Sequence, residues 1–402
     1  MWQKGDKMKT QAYELKPLNI PLESSLRREP PRPVEHRQDN YEELFDYKML
    51  FADIFVDNGK LVAVGAPPLN LEPLLDDATY LLNGSPIAKP VIEHRSLCAV
   101  YHFDVEAQLG DILELSLMGE RLSGEVQANR SDFFHDCDVL IAVQKDNDIE
   151  WIAYWALHHS LVSGINSILL YDNGSKSYSC DQLRSVLSEV PGIERVMVCS
   201  SDCPFGPTGG PAGKWDSNFG QLIHYEHARR FALREARTVL VNDIDEIIGT
   251  DRSETVVEKL LRSTSSALGV QRLNVINYLR DGFTESDVRA HNVYGYVRKG
   301  RPQVHGKYVA KVARLPEEAQ FNVHLIRNTK LEKADSQEMI CGNFVGVSKT
   351  WRTGKFDSRK NIKSKDNLEL EIEPLLTQSM DSISDDWEAL LEVLHASGHL
   401  ES

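Results

Sequence analysis

The sequence predicts an α/β protein with a mainly parallel sheet and helices on both faces, preceded by a small antiparallel β-sandwich. Three observations predict it. From Cys137 onward, short apolar runs alternate with amphipathic stretches, the order expected when crossover helices join parallel strands. Before that point, short strands follow one another with Asn-Gly turn signals and no long helical stripe, the pattern of a sandwich. Finally, the β-branched run Thr238-Val-Leu-Val ends in Asp243-x-Asp245-Glu246, so a buried strand delivers carboxylates to one end of the sheet, where open α/β sheets bind ligands.

The chain divides into four stretches. Residues 1–40 are polar and carry Pro30-Pro31-Arg32-Pro33, which reads as a tail or loosely docked arm. Residues 41–135 hold the sandwich, with hairpins at Asp57-Asn58-Gly59 and Asn83-Gly84. This part shows no chemistry of its own and reads as an accessory or docking module, with carbohydrate binding as the alternative. Residues 136–370 form the α/β domain. Val139 to Val143 is a continuous apolar run, as in a strand covered on both faces. Ile152, Trp155, Ala156 and His159 mark the next helix, which stops at Gly164. The strand at 167–171 runs into Asp172-Asn173-Gly174-Ser175. Helices are expected over 181–189 and 218–236 and a further strand over 194–199. Asp251-x-x-Glu254 predicts a capping box for the helix carrying Val256, Val257 and Leu260. Strands are expected over 267–273, 307–312 and 322–326, the last containing His324. Residues 371–402 close the chain with an amphipathic helix marked by Trp387, Leu390, Leu391 and Leu394.

Composition narrows the classes. With 402 residues there is room for two or three domains. The net charge of -15 speaks against a nucleic-acid partner, since such proteins carry a basic face. No run approaches the roughly 20 apolar residues of a membrane helix, and the basic N-terminus has no apolar core behind it to make a signal peptide. Peripheral attachment to a membrane is still allowed. Six irregularly spaced cysteines fit free thiols in a reducing cytoplasm better than a disulfide framework.

The acidic motif carries the chemistry. On an extended chain, Asp243 and Asp245 would point the same way. Two ionised carboxylates so close repel and resist leaving water, and a divalent cation relieves both costs, Mg2+ or Mn2+ favouring such hard oxygen ligands. Gln144, Asp172, Asp243 and Asp245 all fall at predicted strand ends and can therefore converge. The simpler readings are a turn for Asp172 with its Asn-Gly-Ser, a core histidine for His324, packing roles for His158 and His159, and a local hydrogen-bonding role for Glu246.

Glu150-Trp-Ile-Ala-Tyr-Trp-Ala-Leu-His158-His159, Gly164-Ile-Asn-Ser-Ile-Leu-Leu-Tyr-Asp172-Asn-Gly-Ser175 and Asn242-Asp243-Ile-Asp245-Glu246 together resemble bacterial glycosyltransferases akin to families 2 and 92. The resemblance covers roughly 137–370. It implies the GT-A, Rossmann-like nucleotide-sugar fold, with Gln144 and Asp172 lining the nucleoside pocket. It also implies Asp243 and Asp245 holding Mn2+ or Mg2+ and the donor diphosphate, with His324 completing the metal site. Lys307 resembles the basic residue that precedes this histidine, and Trp351, Arg352 and Lys355 resemble a segment closing over the donor. Asn343-Phe344 departs from the pattern, standing where compared relatives carry His-Phe or His-Tyr.

The function expected is metal-dependent transfer of a sugar from a nucleotide diphosphate, a UDP-sugar foremost, to a glycan acceptor in surface polysaccharide synthesis. If the transfer inverts the anomeric centre, a general base must take the acceptor proton, and Asp281 in Arg280-Asp-Gly-Phe-Thr-Glu-Ser-Asp287 is the candidate. The alternative is a catalytically inactive glycan-binding or scaffold protein. A nucleotidyltransferase fits less well, because Gln144-Lys-Asp-Asn-Asp148 lacks the glycine- and basic-rich phosphate loop of that class.

Overall fold

The computed structural model describes residues 8–207, 216, 219–300, 304–347 and 369–400. Its frame is a mixed sheet of 12 strands among the described residues. Five of these run parallel, in the spatial order β1 (Lys9–Glu14), β4 (Arg195–Ser200), β3 (Ser167–Asp172), β2 (Asp138–Gln144) and β5 (Thr238–Val241). Helices α1 (Ile149–Ser163) and α2 (Cys180–Ser188) connect β2 to β3 and β3 to β4, and α3 (Phe219–Phe231) leads into β5. Beyond β5 the sheet becomes mixed, mostly antiparallel. β6 (Glu246–Thr250) and helix α4 (Val256–Arg262) precede β7 (Ala267–Val275) in the chain. β8 (Val304–Lys311) lies between β5 and β7, while β9 (Met339–Phe344) pairs with both β6 and β7. Helices α5 (Pro374–Asp381) and α6 (Ser384–Ala396) close the chain.

The parallel strands read as unbroken apolar runs because both faces are buried. Leu140, Ala142, Ile168, Leu170, Val196, Val198 and Leu240 enter one core with α1 and α2. Their alternates Val139, Ile141, Leu169, Tyr171, Met197, Val239 and Val241 enter a second core with α3, as the two-residue period of a strand requires. Helix α1 is buried nearly all round, since the sheet and β6 lie beneath it and Trp387 of α6 packs edge-on to Tyr154 above it. It ends at Gly164, whose φ of 82° would strain any other residue.

Residues 41–135 hold two four-stranded antiparallel sheets. Ile54, Leu61, Ala63 and Tyr101 from one sheet meet Tyr80, Leu82, Leu113 and Leu115 from the other, as in a sandwich. At both predicted hairpins, Asn58-Gly59 and Asn83-Gly84, the two central residues have positive φ, which matches the right-handed strand twist. The outer face of the first sheet is also covered: Phe55, Val62, Val64 and Val100 join the core around α3. Residues 9–14, within the stretch read as an arm, are the edge strand β1. Arg28 and Arg32 beyond it are buried, paired with Asp46 and Asp216.

Two local expectations are corrected. The capping box at α4 is Thr255 with Glu258, not Asp251 with Glu254, because Asp251 spends its carboxylate on the backbone and hydroxyl of Ser253. No strand spans 322–326. Phe321 and Ile326 pair across a tight turn that places His324 at its tip, where the Asn322 side chain accepts from the Val323 amide. All six cysteines are free. Among the described residues, no helix is long and apolar enough to cross a membrane.

Buried histidines give the fold an acid limit. Burial pushes His158 down to about 4 and His224 and His291 down to about 3. In the unfolded chain these rings titrate near 6.5, so as pH falls the unfolded state takes up protons first. The stability they contribute is complete above about pH 6.5 and is lost as pH falls toward 4. The expected loss is on the order of 3–4 kcal/mol per pH unit between about pH 6 and 4.5. Urea titrations at pH 7.0, 5.5 and 4.5 check this, and midpoints that do not move would contradict it.

Candidate functional site

The acidic motif lies at the carboxyl end of β5, in the turn joining it to β6. Asp243 and Asp245 do not sit on an extended strand, as expected from their spacing. The turn brings their carboxylates together, and adds that of Glu246, the first residue of β6. Carboxylate oxygens of all three lie within 4.8 Å of one another. Glu246 is buried and the two aspartates are half-buried.

Two cations hold this group. The ammonium of Lys307, from β8, has a fully buried side chain. It donates to Asp243 Oδ2 at 2.6 Å and approaches Glu246 Oε2 at 2.9 Å. Arg272, from β7, donates from Nη1 to Glu246 Oε1 at 2.8 Å. Burial alone would lower the Lys307 pKa, but Asp243 and Glu246 outweigh it and hold the group well above its usual value. Gln221 of α3 donates to Asp243 Oδ1 at 3.2 Å and to the Tyr225 hydroxyl at 2.9 Å. Among the described residues, three carboxylates face these two cations. Neither of these cations forms an ion pair with Asp245, whose carboxylate meets its own backbone amide. Burial, then the charges of Glu246 and Asp243, push the Asp245 carboxyl well above the usual range, with Lys307 opposing.

His324 lies beside this group but is not one of the three clustered ligands. Its Nδ1 meets the Gly306 carbonyl at 3.2 Å. Burial and then the charges of Lys307 and Arg272 push it down to about 4, so the ring is neutral at pH 7. With Nδ1–H donating, Nε2 keeps its lone pair. Asn343 stands directly opposite Glu246 in the β6–β9 ladder, and its amide donates to Asn274 Oδ1 at 3.0 Å.

Gln144 and Asp172 face each other at the ends of adjacent strands, 1% and 4% exposed. Gln144 Nε2 donates to Asp172 Oδ1, Ser175 donates to Asp172 from both amide and hydroxyl, and Tyr178 donates to Gln144 Oε1 at 2.9 Å. This is the local turn that Asp172-Asn-Gly-Ser suggests, with its polar groups satisfied by one another. Burial raises the Asp172 pKa, opposed by the Ser175 bonds. Asp281 is exposed on a turn, at 3.5 Å from the Tyr296 hydroxyl. No described hydrogen bond or ion pair joins it to the carboxylates. Trp351, Arg352 and Lys355 lie outside the described residues.

Of the expected residues, the structure brings together Asp243, Asp245 and Lys307 with His324 alongside, and Gln144 with Asp172. Gln221, Arg272 and the full part of Glu246 escaped the sequence reading. A charged residue inside a β-rich run, as at Arg272, was the one available signal, because buried charges need partners.

A divalent hard cation fits the donor set: three carboxylates converge, and all offer oxygen. No family model matches the sequence, and no curated protein is detectably similar. Among solved structures, one described as an active-site mutant of LgtC aligns at 10% identity over 44% of this chain, with a TM-score of 0.25. The chain covers 58% of that structure's length. A likeness this slight carries no argument about fold or function.

Proposed function

We propose that the protein is a metal-dependent GT-A glycosyltransferase. It moves a sugar from a nucleotide diphosphate, a UDP-sugar foremost, to a glycan acceptor, and works in the cytoplasm. The observation that carries this reading is the convergence of Asp243, Asp245 and Glu246 at the carboxyl end of a parallel strand. Asp243 and Asp245 would hold Mn2+ or Mg2+, with His324 as the neighbouring nitrogen donor. The bound ion would act as a Lewis acid on the departing diphosphate.

The chain's own residues have separable roles. Lys307 and Arg272 keep the acidic turn ionised and folded by offsetting its charge. Gln144 and Asp172 form a corner of the nucleoside pocket, where a base would have to take over hydrogen bonds they now make to each other. Trp351, Arg352 and Lys355 would close over the donor. Asp281 is the base in an inverting transfer, its exposed carboxylate being open to an acceptor arriving from solvent.

Titration of UDP by calorimetry, with and without Mn2+, tests the proposal. Binding should tighten at least about tenfold with the metal. Affinity indifferent to Mn2+, or no binding at all, would sink it. One observation favours an inactive glycan-binding or scaffold protein: Lys307 already pairs with two of the carboxylates. Donor hydrolysis no faster than in buffer across a panel of nucleotide sugars, together with metal-independent glycan binding, would establish that reading.

A further inference from the structure

The carbonyls of the acidic turn and the start of β6 are met by histidine rings from two separate segments. His291 Nε2 lies 2.8 Å from the Ile244 carbonyl, His159 Nε2 lies 3.3 Å from that of Glu246, and His158 Nε2 lies 2.9 Å from that of Ile248. These are alternate residues along one stretch. His158 and His159 come from α1, and His291 from the loop after β7. All three rings are fully buried. The intervening Asp245 carbonyl accepts from the Phe344 amide of β9 at 2.7 Å. The Asn242 amide Nδ2 donates to the same His159 Nε2 at 3.0 Å, just ahead of Asp243, so this ring holds the turn through Asn242 while His158 and His291 are the carbonyl donors.

Packing alone does not explain histidine here. Among the described residues, the Nδ1 atoms of His158 and His291 are buried without a hydrogen-bond partner, a costly arrangement in an apolar interior. Phenylalanine would fill the same space without that cost. His291 stacks on Tyr154 at 5.4 Å and meets Phe344 edge-on at 5.1 Å, so this ring serves as an aromatic wedge that also donates its Nε2–H to the Ile244 carbonyl. A turn bearing three carboxylates tends to open by self-repulsion. Fixing its backbone at alternate carbonyls holds the carboxylates convergent.

We propose that His158, His159 and His291 are positioning residues that clamp the backbone of the acidic turn in the arrangement that receives a cation. The proposal rests on reading that turn as a metal site. Two substitutions separate the donor from the ring. His291→Phe keeps shape and stacking but removes the N–H, while His291→Gln loses the ring but restores a donor at a reach close to that of Nε2. Mn2+ binding is measured by electron paramagnetic resonance, with folding followed by circular dichroism.

His291→Phe is expected to weaken Mn2+ binding at least about tenfold and His291→Gln to stay within about threefold of wild type, a contrast worth roughly 1 kcal/mol, as for a neutral hydrogen bond. Wild-type affinity in His291→Phe, or equal losses in the two variants, overturns the clamp and leaves the metal reading standing. No Mn2+ binding by the wild type overturns both. Should His291→Phe not fold, 15N-histidine-labelled wild type decides the matter. The clamp requires Nε2–H resonances protected from solvent exchange that shift on adding Mg2+, and rapid exchange or no shift overturns it.

Discussion

Asp245→Asn is expected to make the metal-free protein more stable while abolishing the proposed metal-dependent activity. The side chain has nearly the same shape, so packing is retained. What changes is charge. The ionised Asp245 carboxylate is half-buried and faces Glu246 and Asp243. Its folded pKa is raised, so its ionised form opposes folding. That cost is absent at low pH and grows as pH rises from about 4 toward neutrality. The amide removes it, and a gain on the order of 1–2 kcal/mol at pH 7 is expected, shrinking to nothing near pH 4. Added Mn2+ should raise the melting temperature of the wild type, because a ligand of the native state stabilises it, and should leave Asp245→Asn unmoved. Transfer or donor hydrolysis should fall at least about 100-fold, in line with losing one element of charge stabilisation in an active site. Calorimetric scans with and without Mn2+ at pH 4.5 and 7 make the check. A variant that melts lower than wild type, or still responds to the metal, would contradict the account of this residue.

Lys307→Met is expected to be the most damaging single change to stability, at about 3–5 kcal/mol. The methionine fills most of the lysine's volume, so the loss is electrostatic. Removing one partner of a buried ion pair leaves the others buried and uncompensated. Here two carboxylates are stranded at once, Asp243 at 2.6 Å and Glu246 at 2.9 Å. Arg272 still reaches Glu246, while Asp243 and Asp245 face each other without the lysine's charge. Pairing Lys307→Met with Glu246→Gln should return part of the loss, and added Mn2+ should return part as well, since either lowers the excess negative charge. Urea unfolding of the single and double variants measures this. A loss below about 1 kcal/mol would show that the lysine is not the counter-charge its position suggests.

Much of the fold was legible because the burial pattern is local. A strand covered on both faces must be apolar at every position, and the runs at 139–143, 167–171 and 238–241 say so directly. Asn58-Gly59 and Asn83-Gly84 are likewise local, since a two-residue hairpin turn needs positive φ at both positions. The misplaced capping box shows the limit of that approach. Asp251 and Glu254 have the right spacing, but so do Thr255 and Glu258, and the choice rests on which residue faces the helix start. Residues 9–14 were illegible as part of the sheet for a different reason. An edge strand has one neighbour and a partly solvated face, so Lys9-Thr-Gln-Ala-Tyr-Glu14 carries little apolar signal.

What the sequence by itself determined is the order of strands and helices and the presence of adjacent carboxylates at a strand's carboxyl end, because these depend on period and spacing within a few residues. Only the tertiary structure decided what surrounds those carboxylates. Lys307 and Arg272 come from the antiparallel half of the sheet, Gln221 from the helix before the acidic strand, and His291 from a loop nearly fifty residues further on. A charge finds its counter-charge, and a carbonyl its donor, by distance in space. No local pattern encodes that distance until the sheet has closed and brought its two halves together.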